Sequence, residues 1–449
     1  MNGTNPFSRD RDRKKRNTED RHGGQGPGRA GKRILAALLA AALLAGLYFG
    51  YTFFFPGTKS ISFHAAFPGS KTADLTYESI KAALDMKEGL QKKLIQTAGV
   101  LEYYQIAGKT GTPPALKSTN MLFSDQIELL SFYVEQKNRN AFGKLNTWIK
   151  STFQAENGLF VKKVDSATQK RPDGDLQISA SEQIRYCRVL IEAYDRFGQE
   201  EDLNLVKALS EQMYPLCKGN NLLPPELSVA LPEKTPTPDF TATPEPKPSA
   251  APTIDASKIT YIGVVDVSSI DLYALQLLSF VNAGWGDVYK NCLDVIQNAA
   301  IDDPVPFYQA GYNVLESGYV PYLATDPKFI LEDQMKIMLH LAEVSKIRES
   351  TFAYLKQQLY NTNTFYETYQ ILTGTPSSGS ESISGYAYMA RIARIRQDKE
   401  LYDRCIDKIA WNTATSSTSD IYGLPFQTDS DGAIRAFAKD AVSALKAYY

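Results

Sequence analysis

From about residue 76 to the C-terminus, apolar residues recur at steps of three and four, broken by clusters of Gly, Pro, Asn and Ser. A chain with that period must build its core from amphipathic helices. The pattern predicts an all-α domain with twelve helices, at approximately 76–103, 124–137, 139–153, 181–197, 201–217, 269–282, 284–298, 328–344, 347–360, 383–396, 399–410 and 433–448. In the fourth, Ile184, Cys187, Ile191 and Tyr194 share one face, Ser179 and Glu182 form a capping box, and Gly198 ends the helix. Twelve helices that fall into pairs suit a double ring, an (α/α)6 toroid with six inner and six outer helices. A solenoid of helix pairs would carry a fixed-period motif, and none is visible.

The segment before the helices has a different character. Residues 1–33 carry Arg9, Arg11, Arg13, Lys14, Lys15, Arg16, Arg21, Arg29, Lys32 and Arg33 among Gly, Asn and Asp, a composition that cannot bury a core. Residues 34–55, "ILAALLAAALLAGLYFGYTFFF", contain no charge. A bilayer is spanned by a helix of about 20 apolar residues, and basic residues before the span favour a cytoplasmic N-terminus. The span is longer than the apolar core of a cleaved signal peptide. The expectation is a single transmembrane helix acting as a signal anchor in the cell membrane, with a basic cytoplasmic tail and the domain 58–449 outside the cell. The net charge of −1 over 449 residues gives no reason to expect a nucleic-acid partner.

Several motifs are excluded on order or spacing. Ala107 to Thr112, "AGKTGT", matches the Lys-Thr-Gly box of transpeptidases, but Ser118-Thr119-Asn120 follows it and the Ser443-to-Lys446 pair stands near the C-terminus. A phosphate loop would need glycine where Tyr103 stands. "DSDGAI", Asp429 to Ile434, would place Gln427 and Ala438 at the first and twelfth positions of a calcium loop, leaving its carboxylates incomplete. His22, His64 and His340 are too scattered for a histidine metal cluster or a triad, so no metal is expected. Cys187, Cys217, Cys292 and Cys405 lie in helical patterns without a Cys-x-x-Cys pair; they read as buried thiols, with a Cys187–Cys217 bridge as the alternative. Residues 231–256, rich in Pro, Thr and Ala, read as an inter-domain linker or as an insertion. Six helices on each side cannot close a toroid alone, which favours the insertion.

Three stretches together resemble family 8 glycoside hydrolases, an inverting β-glucanase family with the six-hairpin (α/α)6 toroid. Residues 123–160, from "FSDQIELL" through Trp148 to "NGLF", are similar to the family's Ser-Glu-Gly helix start and the turn after it. "SEQIRYCRVLIEAYDRFG", ending in Phe197-Gly198, is similar to the family helix that ends in Trp-Gly, and "EDQMKIMLHLAE", residues 332–343, to its Asp-Ala-x-Arg helix start. The likeness runs along about residues 70–445 and is nearest to membrane-anchored Gram-positive members that accompany exopolysaccharide synthesis.

Inverting hydrolysis needs a protonated carboxyl for the leaving oxygen and a carboxylate to activate water, about 6.5–9.5 Å apart. The resemblance implies that Asp125 is the acid, where the family has Glu, and Asp333 the base, with Lys336 in place of the family's Arg. An Asp donor is one methylene short, and a misplacement of about 1 Å can cost about 100-fold in rate. Counting back from Phe197-Gly198 puts Ser181 and Gln183 at the family's substrate-gripping acids, so Asp173 and Asp175 in "DGDL" fall too early and remain as alternative carboxylates. Trp285 is the candidate for stacking on a sugar, whereas Trp148 reads as core. The resemblance further implies a β-linked glucan or exopolysaccharide as substrate or ligand, a polysaccharide-synthase complex as partner, and no cofactor. The altered acid also admits a weak or inactive toroid that binds glycan or its synthase.

Overall fold

The computed structural model describes residue 61 and residues 75–106, 116–217, 220–230, 259–320, 327–428 and 432–449. The basic tail, the 34–55 span, the 107–112 box, the whole 231–256 segment and part of the 429–434 loop lie outside the described residues. No helix among the described residues is long and apolar enough to cross a membrane.

Among the described residues twelve α-helices follow one another: α1 (Tyr77–Gly89), α2 (Phe123–Glu135), α3 (Arg139–Phe153), α4 (Ala180–Phe197), α5 (Glu200–Cys217) and α6 (Leu272–Leu278). The second half adds α7 (Trp285–Asn298), α8 (Leu331–Glu343), α9 (Glu349–Thr362), α10 (Ile383–Arg396), α11 (Lys399–Trp411) and α12 (Ala438–Tyr448). The even-numbered helices form an inner ring: α2 packs on α4, α4 on α6, α6 on α8, α8 on α10, α10 on α12, and α12 returns to α2. The odd-numbered helices lie outside them. The strand Ile434–Phe437 pairs antiparallel with Tyr103–Ile106, and the Ala438 N–H donates to Glu102 O at 2.9 Å, so the two ends of the domain are tied together.

Local chemistry explains α4. Ser179 Oγ accepts from the Glu182 N–H at 3.3 Å; Ile184, Cys187, Ile191 and Tyr194 are buried; Gly198 takes φ 71° and its N–H donates to Tyr194 O at 2.9 Å.

Four helices differ from the periodicity. The first predicted helix stops at Gly89, passes through a π-turn at Leu90–Leu94, and gives way to a hairpin pairing Ile95–Gln96 with Gly99–Val100. Thr97 has φ 60°, and a Cβ on Gly99 would come within 2.2 Å of the Trp148 ring, so tertiary packing overrides the helical pattern here. The predicted 328–344 and 433–448 helices begin with strands Lys328–Ile330 and Ile434–Phe437. The predicted 269–282 helix shrinks to Leu272–Leu278 because Asp271 caps it, its Oδ1 accepting from the Ala274 N–H at 2.9 Å.

Strands Leu176–Ile178, Glu226–Val229 and Ile259–Ile262 form one antiparallel sheet in which Val229 pairs with Ile259. The chain leaves and re-enters the same sheet on either side of the Pro/Thr-rich segment. All four cysteines are buried free thiols.

Candidate active site

A cavity of about 500 Å³ lies inside the inner ring. Its walls come from α2, α4, α8, α10 and α12, and from the loops that carry Glu226 and Val264 to Asp271.

Three inner helices reach it with the same grammar. They begin Ser124-Asp125-Gln126, Ser181-Glu182-Gln183 and Glu332-Asp333-Gln334. Each glutamine is buried and grips the backbone of one residue on the preceding segment. Gln126 Oε1 accepts from Val100 N at 2.8 Å while its Nε2 donates to Val100 O at 2.8 Å. Gln183 holds Phe160 at 3.0 and 2.9 Å, and Gln334 holds Tyr308 at 2.9 and 3.1 Å. Two residues past each glutamine stand Glu128, Arg185 and Lys336; nine past it stand Glu135, Glu192 and Glu343. At helical spacing these positions lie near one another on the inward face.

The floor of the cavity is a lattice of ion pairs. Arg188 donates to both oxygens of Glu343 at 2.8 Å, to Asp271 at 3.1 and 3.0 Å, and to Glu192 at 3.1 Å. Arg391 lies 3.5 Å from Glu343. Lys446 donates to Glu128 at 2.9 Å and to Ser131 at 3.0 Å, and Arg185 bonds Glu128 from the other side. Arg188 and Arg391 hold Glu343 well below the usual carboxylate range against its burial, and Lys446 and Arg185 do the same for Glu128.

Carboxyls at the helix starts behave differently. Burial pushes Asp125 up to about 8, with Lys439 only partly opposing it. Burial raises Glu182 to about 7 against Arg185 and Lys162. Asp333 rises to about 6 through burial, opposed by Lys336 and by the hydrogen bond that Ser268 Oγ donates at 3.4 Å. Its neighbour Glu332, paired with Lys336 at 2.7 Å and with Lys439, stays at about 2 despite burial.

The structure places the sequence-derived candidates unevenly. Ser181 and Lys336 line the cavity. Asp125 is 6% exposed and Asp333 half-buried at the starts of α2 and α8, and neither lines the cavity, although Ser268, bonded to Asp333, does. Gln183 is a correction: its amide is taken up by Phe160, which leaves it no role as a sugar ligand. Trp285 is a second correction. It is fully buried at the start of outer helix α7, its Nε1 donates to Ser210 at 2.8 Å, and Tyr214 packs edge-on against it at 5.5 Å. Trp148 is core and donates to Gln169 at 3.1 Å. Asp173 and Asp175 are exposed in the turn before α4 and do not line the cavity, and Asp175 accepts from Ser228 at 3.3 Å.

Two features were not anticipated. Glu182 lines the cavity, and the signal for it was present in the equivalence of "SDQ", "SEQ" and "EDQ". Asp271, His340 and Glu343 bring ligand atoms within 4.8 Å of one another, a mixed triad that a search for clustered histidines does not reveal. His340 Nδ1 lies 3.8 Å from Asp271 and 3.7 Å from Glu343. Arg188 bonds both carboxylates of that triad, so a cationic side chain already fills the place a metal would take.

No family model and no curated protein matches the sequence. Solved structures do match. A protein described as a novel α-amylase from Clostridium perfringens shares 18% identity over 82% of this chain and 96% of its own, with a TM-score of 0.66. A β-1,3-1,4-glucanase from Paenibacillus sp. X4 shares 13% over 87% and 96%, TM-score 0.56. PssZ from Listeria monocytogenes shares 13% over 83% and 95%, TM-score 0.54. At these identities the likeness is one of fold, and at that level the chain resembles the glycoside hydrolases to which its sequence pointed.

Proposed function

We propose that this chain is a glycosidase-like protein, a toroid held at the cell membrane by residues 34–55 with its domain outside, that hydrolyses a β-linked glucan or exopolysaccharide with inversion. The carrying observation is that three inner helices begin at one cavity with carboxyls in register: Glu182 on its wall, Asp125 buried next to the lining Ser124, and Asp333 bonded to the lining Ser268. Burial raises all three carboxyls, least in Asp333, at about 6, and further in Glu182 and Asp125, at about 7 and about 8. Carboxyls whose environments separate their titrations are what an acid–base pair requires. In this reading Asp333 activates water, Lys336 keeps its charge beside it, and the donor is one of the two equivalent carboxyls, Asp125 or Glu182. Sugars and water suffice for the reaction, with no cofactor.

The test is incubation of the chain with soluble β-glucans and with the exported polysaccharide of its own cell, with product anomers followed by NMR. Cleavage with inversion, lowered about 100-fold or more in Asp333→Asn, is expected. Equal rates for the two proteins would remove hydrolysis from consideration.

The second reading is a toroid that holds a glycan or a polysaccharide-synthase partner without turnover. It is favoured by Ser181 and Gln183, which stand uncharged where the family has acids, and by the committed amide of Gln183. Glycan affinity without released sugar would support it.

A further inference from the structure

The three equivalent carboxyls at the starts of α2, α4 and α8 differ in what they face. Asp125 is buried off the cavity, and Asp333 stands behind Ser268. Glu182 lines the cavity itself, beside Ser181 and Arg185 and near Lys162 and Glu226. Its two cationic neighbours are engaged elsewhere, Arg185 with Glu128 and Lys162 with Glu226. Glu182 Oε2 is enclosed and has no hydrogen-bond partner. An enclosed carboxylate oxygen without a donor is costly, so the neutral acid is favoured.

The backbone beneath the residue is fixed. Ser179 Oγ accepts from the Glu182 N–H at 3.3 Å and lies 3.0 Å from Ser181 Oγ, and the next residue, Gln183, is clamped to Phe160. A donor on a pinned helix start needs little reorganisation to meet a bound sugar.

We propose that Glu182 is the catalytic residue that gives its proton to the leaving glycosidic oxygen, an inference that rests on the hydrolase reading above. The bond between the anomeric carbon and that oxygen breaks. The oxygen takes the Glu182 proton, and water attacks the anomeric carbon while losing a proton to Asp333. The products are two shorter glycans with one water added, and solvent returns the proton from Asp333 to Glu182. Asp125 is then a buried neutral acid of the helix start.

The experiment compares Glu182→Gln, Asp125→Asn and wild type on natural polysaccharide and on dinitrophenyl cello-oligosaccharides, whose leaving group needs no proton. Thermal melts confirm that each variant folds, and Glu182→Asp serves as a second, conservative variant. Expected is a loss of about 100-fold or more for Glu182→Gln on polysaccharide, with loss below about 10-fold on the activated substrate. The alkaline limb of the pH–rate profile should vanish with it, and Glu182→Asp should recover part of the rate. Equal losses on both substrates, or an active Glu182→Gln beside an inactive Asp125→Asn, would overturn the assignment while leaving the hydrolase reading intact. Absence of cleavage by wild type between pH 4 and 9 would overturn both.

Discussion

Glu128 and Glu182 stand on the same cavity wall, yet one is held far below the usual carboxylate range and the other is raised to about 7. Both lose solvent, so burial does not separate them. Arg185 does: it bonds Glu128, where Lys446 joins it, and leaves Glu182 only a longer-range attraction. The adjacent pair Glu332 and Asp333 repeats the contrast, at about 2 and about 6, because Lys336 and Lys439 both bond the former. The lattice at the floor of the cavity is thus neutralised by pairing, and the starts of α2, α4 and α8 are where carboxyls are left to hold or release protons. Ion pairing, and not depth, separates scaffold from candidate chemistry.

The strongest way to break this contrast is to take the cation out of the floor. Arg188→Met removes the partner of Glu343, Asp271 and Glu192 at once and leaves them buried without it. Uncompensated buried charge costs about 3–5 kcal/mol, read as a lower denaturant midpoint. The sign with pH follows from Glu343, whose folded titration lies below the unfolded one. Its stabilisation is present above the unfolded value of 4.5 and is lost as pH falls through the folded one. Arg188→Met should therefore lose most at neutral pH and approach wild type in acid. A loss independent of pH would mean that packing, not charge, holds the floor.

At the helix starts the sign reverses. Burial lifts Asp125 in the folded protein to about 8, whereas the unfolded chain releases its proton near 3.8. Stability is therefore reduced as pH rises between those values, by up to about 1.4 kcal/mol for each pH unit. Asp125→Asn removes that titration. It should be more stable than wild type at pH 7, by an order of 2–4 kcal/mol, with the difference closing toward pH 4. Parallel melting curves across that range would show that Asp125 is not held neutral.

Much of this architecture is legible in the residues, and the losses have identifiable causes. The twelve helices, the Ser179 cap and the Gly198 stop all follow from local chemistry, which the sequence states directly. Strands before α8 and α12 were hidden, because Phe329 and Ala436 are buried at positions that also satisfy a helical period. Trp285 misled because a tryptophan's surroundings depend on whether its helix is inner or outer, and Ser210 and Tyr214 come from α5. Gln183 misled because its partner is the backbone of Phe160, which no side-chain pattern announces. In the sequence alone Glu182 reads as a cap residue; its equivalence to Asp125 and Asp333 lies in the shared register of the three helix starts.

That register supplies the smallest and most selective test. Gln126, Gln183 and Gln334 each satisfy one backbone N–H and one C=O in the interior, one residue after the helix-start carboxyls, and so pin those helix starts. Alanine at any of them orphans both groups, at a cost of about 2 kcal/mol. Because α2 and α8 face each other across a six-membered ring, Gln126→Ala and Gln334→Ala share no partner. Their double variant should lose the sum of the single losses within about 0.5 kcal/mol. Hydrogen exchange should quicken at Val100 in the first variant, at Phe160 in the Gln183 variant and at Tyr308 in the last, each at its own amide. If one substitution loosened all three amides, the clamps would act as a single cooperative unit, and the helix starts could not be tuned one at a time.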